Sequence, residues 1–154
     1  MRIDQLMRKP AITCRANESL HSVAQRMWEQ DCGVLPVVDD AGAMVGIVTD
    51  RDVCMAAFTQ AKPLANIPVT TAMAKAVFSC SGADSIEVAE KLMSEKQVHR
   101  LPVVDAKNKP IGVVSLNDIA RFVMTTKTPA AQEVALKTYA AIAQPRAQAQ
   151  QLRR

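Results

Sequence analysis

The stretch LPVVD at Leu35–Asp39 decides how the chain is organised, because it returns unchanged at Leu101–Asp105. The same spacing of 66 residues relates identical residues on both sides of it. These pairs are Met7 and Met73, Cys14 and Cys80, Ser19 and Ser85, Met27 and Met93, Gly46 and Gly112, and Asp52 and Asp118. No insertion is needed to keep the copies aligned, so the chain is predicted to contain one structural unit twice.

The first half of each copy predicts a short strand followed by a helix. Apolar runs at 11–14 and 77–80 favour strands. Asn17 and Asp84 are predicted to start the helices, since short polar side chains accept from the first backbone N–H groups. Apolar residues then recur at helical spacing.

The second half of each copy predicts a hairpin and a second helix. LPVVD and the apolar runs MVGIVT and PIGVVS read as paired strands around a turn. The last helices are predicted to begin at about Asp50 and Leu116. A unit of this size buries its faces poorly alone. The fold class is therefore α/β (α+β), with two strand–helix–strand–strand–helix repeats packed by pseudo-two-fold symmetry.

The predicted organisation has four parts: a first repeat, a linker, a second repeat and a C-terminal region, at 1–60, 61–71, 72–126 and 127–154. Pro63 and Pro68 interrupt any helix in the linker. A C-terminal helix is expected over 130–143, followed by a basic tail. Its apolar stripe of Leu136, Tyr139, Ala140 and Ala143 either packs on the repeats, pairs with another chain or contacts a partner.

Charge and composition bound the compartment and the partners. The 154 residues carry a net charge of +4, with much of the excess near the two ends. Because no basic run is interleaved with aromatic residues, nucleic-acid binding is a weak hypothesis. The N-terminus lacks the apolar core of a signal peptide, and no apolar run reaches the roughly 18 residues of a membrane span. A cytoplasmic protein without a membrane segment is expected.

The four cysteines are predicted to be packing residues. Cys14, Cys32, Cys54 and Cys80 form no CxxC pair, and the chain has two histidines, so the spacing argues against a metal site. In a reducing compartment these cysteines are expected to be mostly small buried apolar residues.

One motif carries chemistry in both repeats: a glycine, two apolar residues, then Ser or Thr, two residues and Asp. It reads GIVTDRD at 46–52 and GVVSLND at 112–118. One interpretation is helix capping by Thr49 or Ser115, with the Asp complementing the helix dipole. The other is recognition of a ribose, because a carboxylate accepts from both neighbouring hydroxyls.

Taken together, LPVVD, the spaced glycine and the Ser/Thr-x-x-Asp ending make both repeats resemble cystathionine-beta-synthase (CBS) domains. The pair resembles a Bateman module, over about residues 1–126. The resemblance implies two clefts between the repeats that hold AMP, ADP, ATP or S-adenosylmethionine as a regulatory ligand, and no catalytic cofactor.

The resemblance implies that the first cleft uses Thr49 and Asp52 for ribose and Val77 and Phe78 against the base. His99 and Arg100 would then face phosphates, since a guanidinium suits a phosphate geometrically. The second cleft would use the residues Ala11, Ile12, Gly33, Val34, Ser115 and Asp118. It has Gly33 and Val34 where the first has His99 and Arg100, so the first cleft is expected to hold the phosphorylated nucleotide. Arg51 and Asn117 either reach a phosphate or stay solvated.

No nucleophile with an adjacent base, paired carboxylates or phosphate-binding loop stands out, so no enzyme is expected. Three hypotheses remain: a nucleotide sensor that signals to a separate protein, a ligand-free assembly module, and, least favoured, a nucleic-acid-binding accessory. The resemblance also implies a homodimer. Its expected contacts are the helices at 19–30 and 85–96, or the final helices.

Overall fold

The computed structural model describes residues 1–126 and 128–145, and the two repeats have the same element order. The first contains β1, α1, β2, β3 and α2, at Cys14–Arg15, Leu20–Glu29, Val34–Val38, Met44–Thr49 and Asp50–Gln60. The second contains β4, α3, β5, β6 and α4, at Cys80–Ser81, Ile86–Lys96, Arg100–Val104, Pro110–Ser115 and Leu116–Thr126. Helix α5 follows at Pro129–Ile142. The predicted fold class is confirmed.

Each repeat forms a three-stranded sheet in chain order. The short first strand runs parallel to the second, and the second pairs antiparallel with the third. Leu35 lies opposite Val48, and Leu101 lies opposite Val114, so the registers match. These four residues are fully buried, and the repeated LPVVD segment is thus the central strand of each core.

The aspartate that closes LPVVD shapes the hairpin. Its Oδ1 accepts from the backbone N–H groups two and four residues further on, at 2.9 Å for Asp39 and 2.8 Å for Asp105. Gly42 and Asn108 occupy the equivalent left-handed position, with φ of 81° and 56°, and both residue types tolerate that conformation. The repeated aspartate is therefore explained by the turn, not by a ligand.

The segment that precedes each repeat packs into the other repeat. Ile3 is fully buried in the second core. Ile67 and Val69, from the predicted linker, are fully buried in the first core. The N–H of Arg8 donates to the carbonyl of Val113 at 2.9 Å, and the N–H of Val113 donates back at 3.0 Å. The chain therefore crosses from one sheet to the other immediately after Arg8, at the seam between the repeats.

This crossing corrects two local predictions. The strands expected at 11–14 and 77–80 shrink to β1 and β4, because the residues before Cys14 and Cys80 span the seam and pair with neither sheet as a strand. The first helices begin after Ser19 and Ser85, not at Asn17 and Asp84.

The side chains near these helix starts explain the difference. Ser19 Oγ accepts from the N–H of Ser22 at 3.4 Å and caps α1. Asp84 Oδ2 accepts from the N–H of Ser81 at 2.8 Å, so this carboxylate closes the turn after β4.

Helix α5 packs on α3 and α4 of the second repeat, but through a different face from the one predicted. Ile142 is buried, and Ala131 and Ala135 pack against the second core. Leu136 and Tyr139 are 69% and 58% exposed. The predicted stripe therefore points outward, with Ala140 and Ala143 also exposed. Because alanine side chains are small, they let α5 approach the neighbouring helices closely. This close packing favours the alanine face over the face with the larger apolar side chains. The predicted basic tail, 146–154, lies outside the described residues.

Candidate functional site

The Ser/Thr-x-x-Asp motif forms the same hydrogen-bonded clamp in both repeats. Asp52 Oδ2 accepts from the N–H of Thr49 at 2.9 Å and from its hydroxyl at 2.7 Å. Asp118 Oδ2 accepts from the N–H and hydroxyl of Ser115 at 2.9 and 2.5 Å. In return, each hydroxyl accepts from the aspartate N–H at 3.2 Å. The capping interpretation is thus realised twice, and one carboxylate oxygen in each clamp is not used by it.

A cavity of about 700 Å³ opens beside the Asp118 clamp. It collects the full set of residues predicted for the second cleft: Ala11, Ile12, Gly33, Val34, Ser115 and Asp118. The first four lie on the first repeat and the last two on the second, so the cavity lies between the repeats. Its volume is within the range of small-molecule sites in proteins.

The cavity is also lined by charge. The lining includes four cations and three carboxylates: Arg8, Lys9, Arg100, Arg121, Asp31, Asp50 and Asp118. Arg8 Nη1 donates to the backbone carbonyl of Asp31 at 3.1 Å. Because this acceptor carries no charge, the bond does not neutralise the guanidinium. The resemblance assigns Arg100 to the first cleft and predicts no anion-binding side here. The structure places Arg100 on the wall of the second cleft.

Gly33 lies close to the side chains of Asp50 and Arg100 on the cavity wall. A Cβ on Gly33 would lie 2.7 Å from Asp50 Oδ2 and 3.0 Å from Arg100 Nη2. Both distances are below van der Waals contact, although side-chain ends can move. The absence of a side chain at Gly33 therefore leaves room for the Arg100 guanidinium and for the cavity beneath it.

The buried carboxylate of Asp118 has a second partner. Arg121, three residues later on α4, donates from Nη2 to Asp118 Oδ1. The side chain of Asp118 is 4% exposed, whereas that of Arg121 is 71% exposed. Sequence reasoning missed Arg121 and Arg8. The spacing of Arg121 from Asp118 places both on one helix face, but Arg8 reaches the cavity only because the chain crosses the seam.

The residues predicted for the first cleft are more dispersed. Val77 is half-buried, Phe78 is 39% exposed and His99 is exposed. Lys96 Nζ lies 5.1 Å from the centre of the Phe78 ring, a cation–π contact. No described hydrogen bond links Thr49 or Asp52 to these three residues. The carbonyl of His99 accepts from the N–H of Leu116 at 2.9 Å.

Two of the thiols are poor nucleophiles. Burial raises the pKa of Cys14 to about 12 and that of Cys80 to about 11, with a smaller contribution from the charge of Glu18 or Asp84. Cys14 and Cys80 are buried, Cys32 is half-buried, and Cys54 is exposed on α2. Within residues 1–126 and 128–145, no three His, Cys, Asp or Glu side chains cluster as a metal site would require.

Both repeats of the chain match the same known protein family. The model of the CBS domain family matches residues 3–58 and again residues 67–125. The chain belongs to the CBS domain family. It is 31% identical, over 118 residues, to the CBS domain-containing protein YhcV of Bacillus subtilis, covering 77% of this chain and 82% of YhcV. Two further curated relatives are longer, and the matches cover 24% and 60% of their lengths.

Solved CBS domain pairs share this fold over about four fifths of the chain. The CBS domain pair of protein MJ0100, solved with 5′-methylthioadenosine and S-adenosyl-L-methionine, is 26% identical with a TM-score of 0.76. The match covers 82% of this chain and 98% of that pair. CBSX2, solved in complex with AMP, is 25% identical with a TM-score of 0.71, with 82% and 98% coverage. The chain is thus similar to CBS pairs solved with adenosine-containing ligands.

None of the helices in the described part of the chain combines the length and the apolar character that a bilayer crossing requires.

Proposed function

We propose that this CBS pair is a regulatory module that binds a phosphorylated adenosine nucleotide in the cavity beside Asp118. The observation that carries the proposal is the convergence of six predicted ligand residues and the guanidinium groups of Arg8, Arg100 and Arg121 on one cavity. The complexes of the MJ0100 pair and of CBSX2 support the adenosine part of the ligand.

Each part of a nucleotide has a counterpart on the cavity wall. Asp118 and Ser115 provide the oxygens that accept from ribose hydroxyls. Ala11 and Ile12 offer an apolar surface for the base. Arg100 supplies a planar fork that suits a phosphate, with Arg8 as a second cation. AMP, ADP and ATP fit this distribution of charge better than an uncharged adenosyl group, and S-adenosylmethionine remains a comparison ligand.

We propose the first cleft as a secondary, weaker site. It retains the Thr49–Asp52 clamp. His99 and Phe78 are bulkier than their counterparts Gly33 and Ile12, so less room is expected for a base.

Binding would act by bridging the repeats. The proposed ligand contacts the first repeat through Ala11 and Gly33 and the second through Asp118. It therefore stabilises one relative arrangement of the repeats over others, by its difference in affinity for them. The readout would be a separate cytoplasmic protein, since we propose no catalytic role for the chain.

We also propose a homodimer through helix surfaces. Phe58 on α2 and Met124 on α4 are 79% and 67% exposed, and burying these apolar side chains against a second copy would favour association. These residues equally support the second candidate function, a ligand-free assembly module. Light scattering with and without AMP separates the candidates: a nucleotide-insensitive dimer that binds no adenine nucleotide supports the second.

The test of the primary proposal is a ligand panel measured by thermal melting and calorimetry. AMP, ADP, ATP and S-adenosylmethionine are compared with GMP and 2′-deoxy-AMP as matched controls. At a concentration of about 100 times Kd, a bound nucleotide raises Tm by roughly 5–10 °C. The 2′-deoxy analogue should bind less tightly, because one ribose hydroxyl is lost. If no member of the panel moves Tm or produces heat, the sensor proposal fails.

A further inference from the structure

We infer that Arg121 is an internal competitor for the ribose, and that it makes the cavity select phosphorylated nucleotides over nucleosides. This inference rests on the proposed function and adds a specificity-determining residue to it.

The carboxylate of Asp118 has both oxygens occupied in the structure. Oδ2 accepts from the N–H and hydroxyl of Ser115, and Oδ1 accepts from Arg121 Nη2. Each carboxylate oxygen accepts about two hydrogen bonds, so a ribose that donates two hydroxyls needs both acceptor positions of Oδ1 and has to replace the charge-assisted bond from Arg121. Arg121 must therefore leave Asp118 before a ribose can bind there in full.

The first repeat shows that the clamp needs no such cation. Asp52 makes the same three hydrogen bonds with Thr49, and the residue three positions further on is Met55 instead of an arginine. Helix α2 nevertheless begins at the same position in the repeat as α4. Arg121 is thus an addition to the second cleft, beyond what the helix start requires.

Arg121 is placed so that it can exchange partners. Its side chain is 71% exposed, and it lines both the large cavity and a smaller one of about 270 Å³ that it shares with Phe122 and Thr125. A phosphorylated nucleotide brings an anion that can receive the displaced guanidinium inside the large cavity. Adenosine brings none, so the displaced guanidinium exchanges its charge-assisted hydrogen bond with Asp118 for hydration by water alone.

The test replaces Arg121 by the residue of the first repeat, Arg121→Met, and measures AMP and adenosine binding by calorimetry. We expect wild type to prefer AMP. In R121M adenosine should bind several-fold more tightly, AMP no more tightly, and the preference should fall by about tenfold. Arg121→Lys keeps the charge and should keep most of the preference. Met55→Arg, on the first repeat, is the matched control and should leave the ratio for the large cavity unchanged.

Two outcomes contradict the inference. An unchanged AMP-to-adenosine ratio in R121M, in a variant that melts like wild type, overturns the inference and leaves the proposed function standing. If wild type and R121M bind neither compound, the proposed function fails and the inference fails with it. A separate melting curve without ligand identifies a variant that has not folded.

Discussion

The two clefts of this CBS pair share their clamp and differ in their lining. Thr49–Asp52 and Ser115–Asp118 make the same hydrogen bonds at the same helix start. Three residues predicted to line the first cleft are larger than their equivalents in the second: Val77 for Ala11, Phe78 for Ile12 and His99 for Gly33. The fourth, Arg100, lines the second cleft together with its own equivalent, Val34. The difference teaches that the clamp forms whatever surrounds it, so the capacity for a ligand depends on the residues around it.

The largest loss of AMP affinity should follow when one residue of the second cleft is replaced by its first-cleft equivalent. Gly33→His places the first-cleft side chain on the wall where even a Cβ lies 2.7 Å from Asp50 Oδ2. The imidazole would occupy the space beneath Arg100, so AMP affinity should fall by about 100-fold or more, equivalent to a loss of roughly 2.7 kcal/mol. Calorimetry with AMP measures it.

Gly33→Ala provides the graded control, because its single methyl meets movable side-chain ends. It should lower AMP affinity by less than about fivefold, or roughly 1 kcal/mol. Full AMP binding by G33H would show that the ligand does not enter this cavity.

The next largest effect should come from Arg100, which the sequence assigned to one cleft and the structure places at the other. Arg100→Met removes the proposed phosphate partner and should weaken AMP by about tenfold while leaving adenosine unchanged, since a charge-assisted hydrogen bond contributes roughly 1.5–3 kcal/mol. The loss should shrink at high salt. Arg51→Ala, which removes an equal charge from an exposed residue that does not line the cavity, is the control. Equal losses for AMP and adenosine in R100M would contradict a phosphate contact.

The smallest predicted effect is on thermal stability, and it concerns a buried carboxyl group on α3. Glu90 on α3 is 5% exposed, and its Oε1 has no hydrogen-bond partner among the described residues. The equivalent residue on α1 is Ala24. Burial, followed by the charge of Glu87, raises the pKa of Glu90. The folded state therefore keeps this proton at pH values where the unfolded chain loses it, and Glu90 costs stability as pH rises through that window.

Glu90→Gln should remove this cost. We expect Tm at neutral pH to rise by about 2–4 °C for each kcal/mol recovered. Below the pH at which the unfolded chain takes up the proton, the gain should vanish. Thermal melts at several pH values measure both. A lower Tm for E90Q at neutral pH would mean that the ionised carboxylate stabilises the fold.

How far the sequence predicts this molecule depends on the range of the interactions involved. The repeated LPVVD and the helix starts at Asp50 and Leu116 follow from local patterns, and the structure agrees. The second-cleft set also meets in one cavity. Arg8 and Arg100 could not be placed in the same way. Their guanidinium groups lie several bonds from the backbone, and which cleft they reach depends on the crossing of the seam.

The exposed stripe of α5 has a similar explanation. Leu136 and Tyr139 have the larger apolar areas, but Ala131 and Ala135 fit the surface of the second repeat. Sequence periodicity identifies an apolar face without specifying the shape of the surface that receives it.

The most direct measurement compares AMP binding to Asp118→Ala and Asp52→Ala by calorimetry. The two variants remove the same carboxylate from equivalent clamps, so loss of the helix cap is common to both. We predict that D118A loses about 100-fold in affinity, as expected for roughly 2.7 kcal/mol, and that D52A stays within about threefold of wild type. Retention of AMP binding by D118A together with its loss in D52A would contradict the account and return the nucleotide to the first cleft.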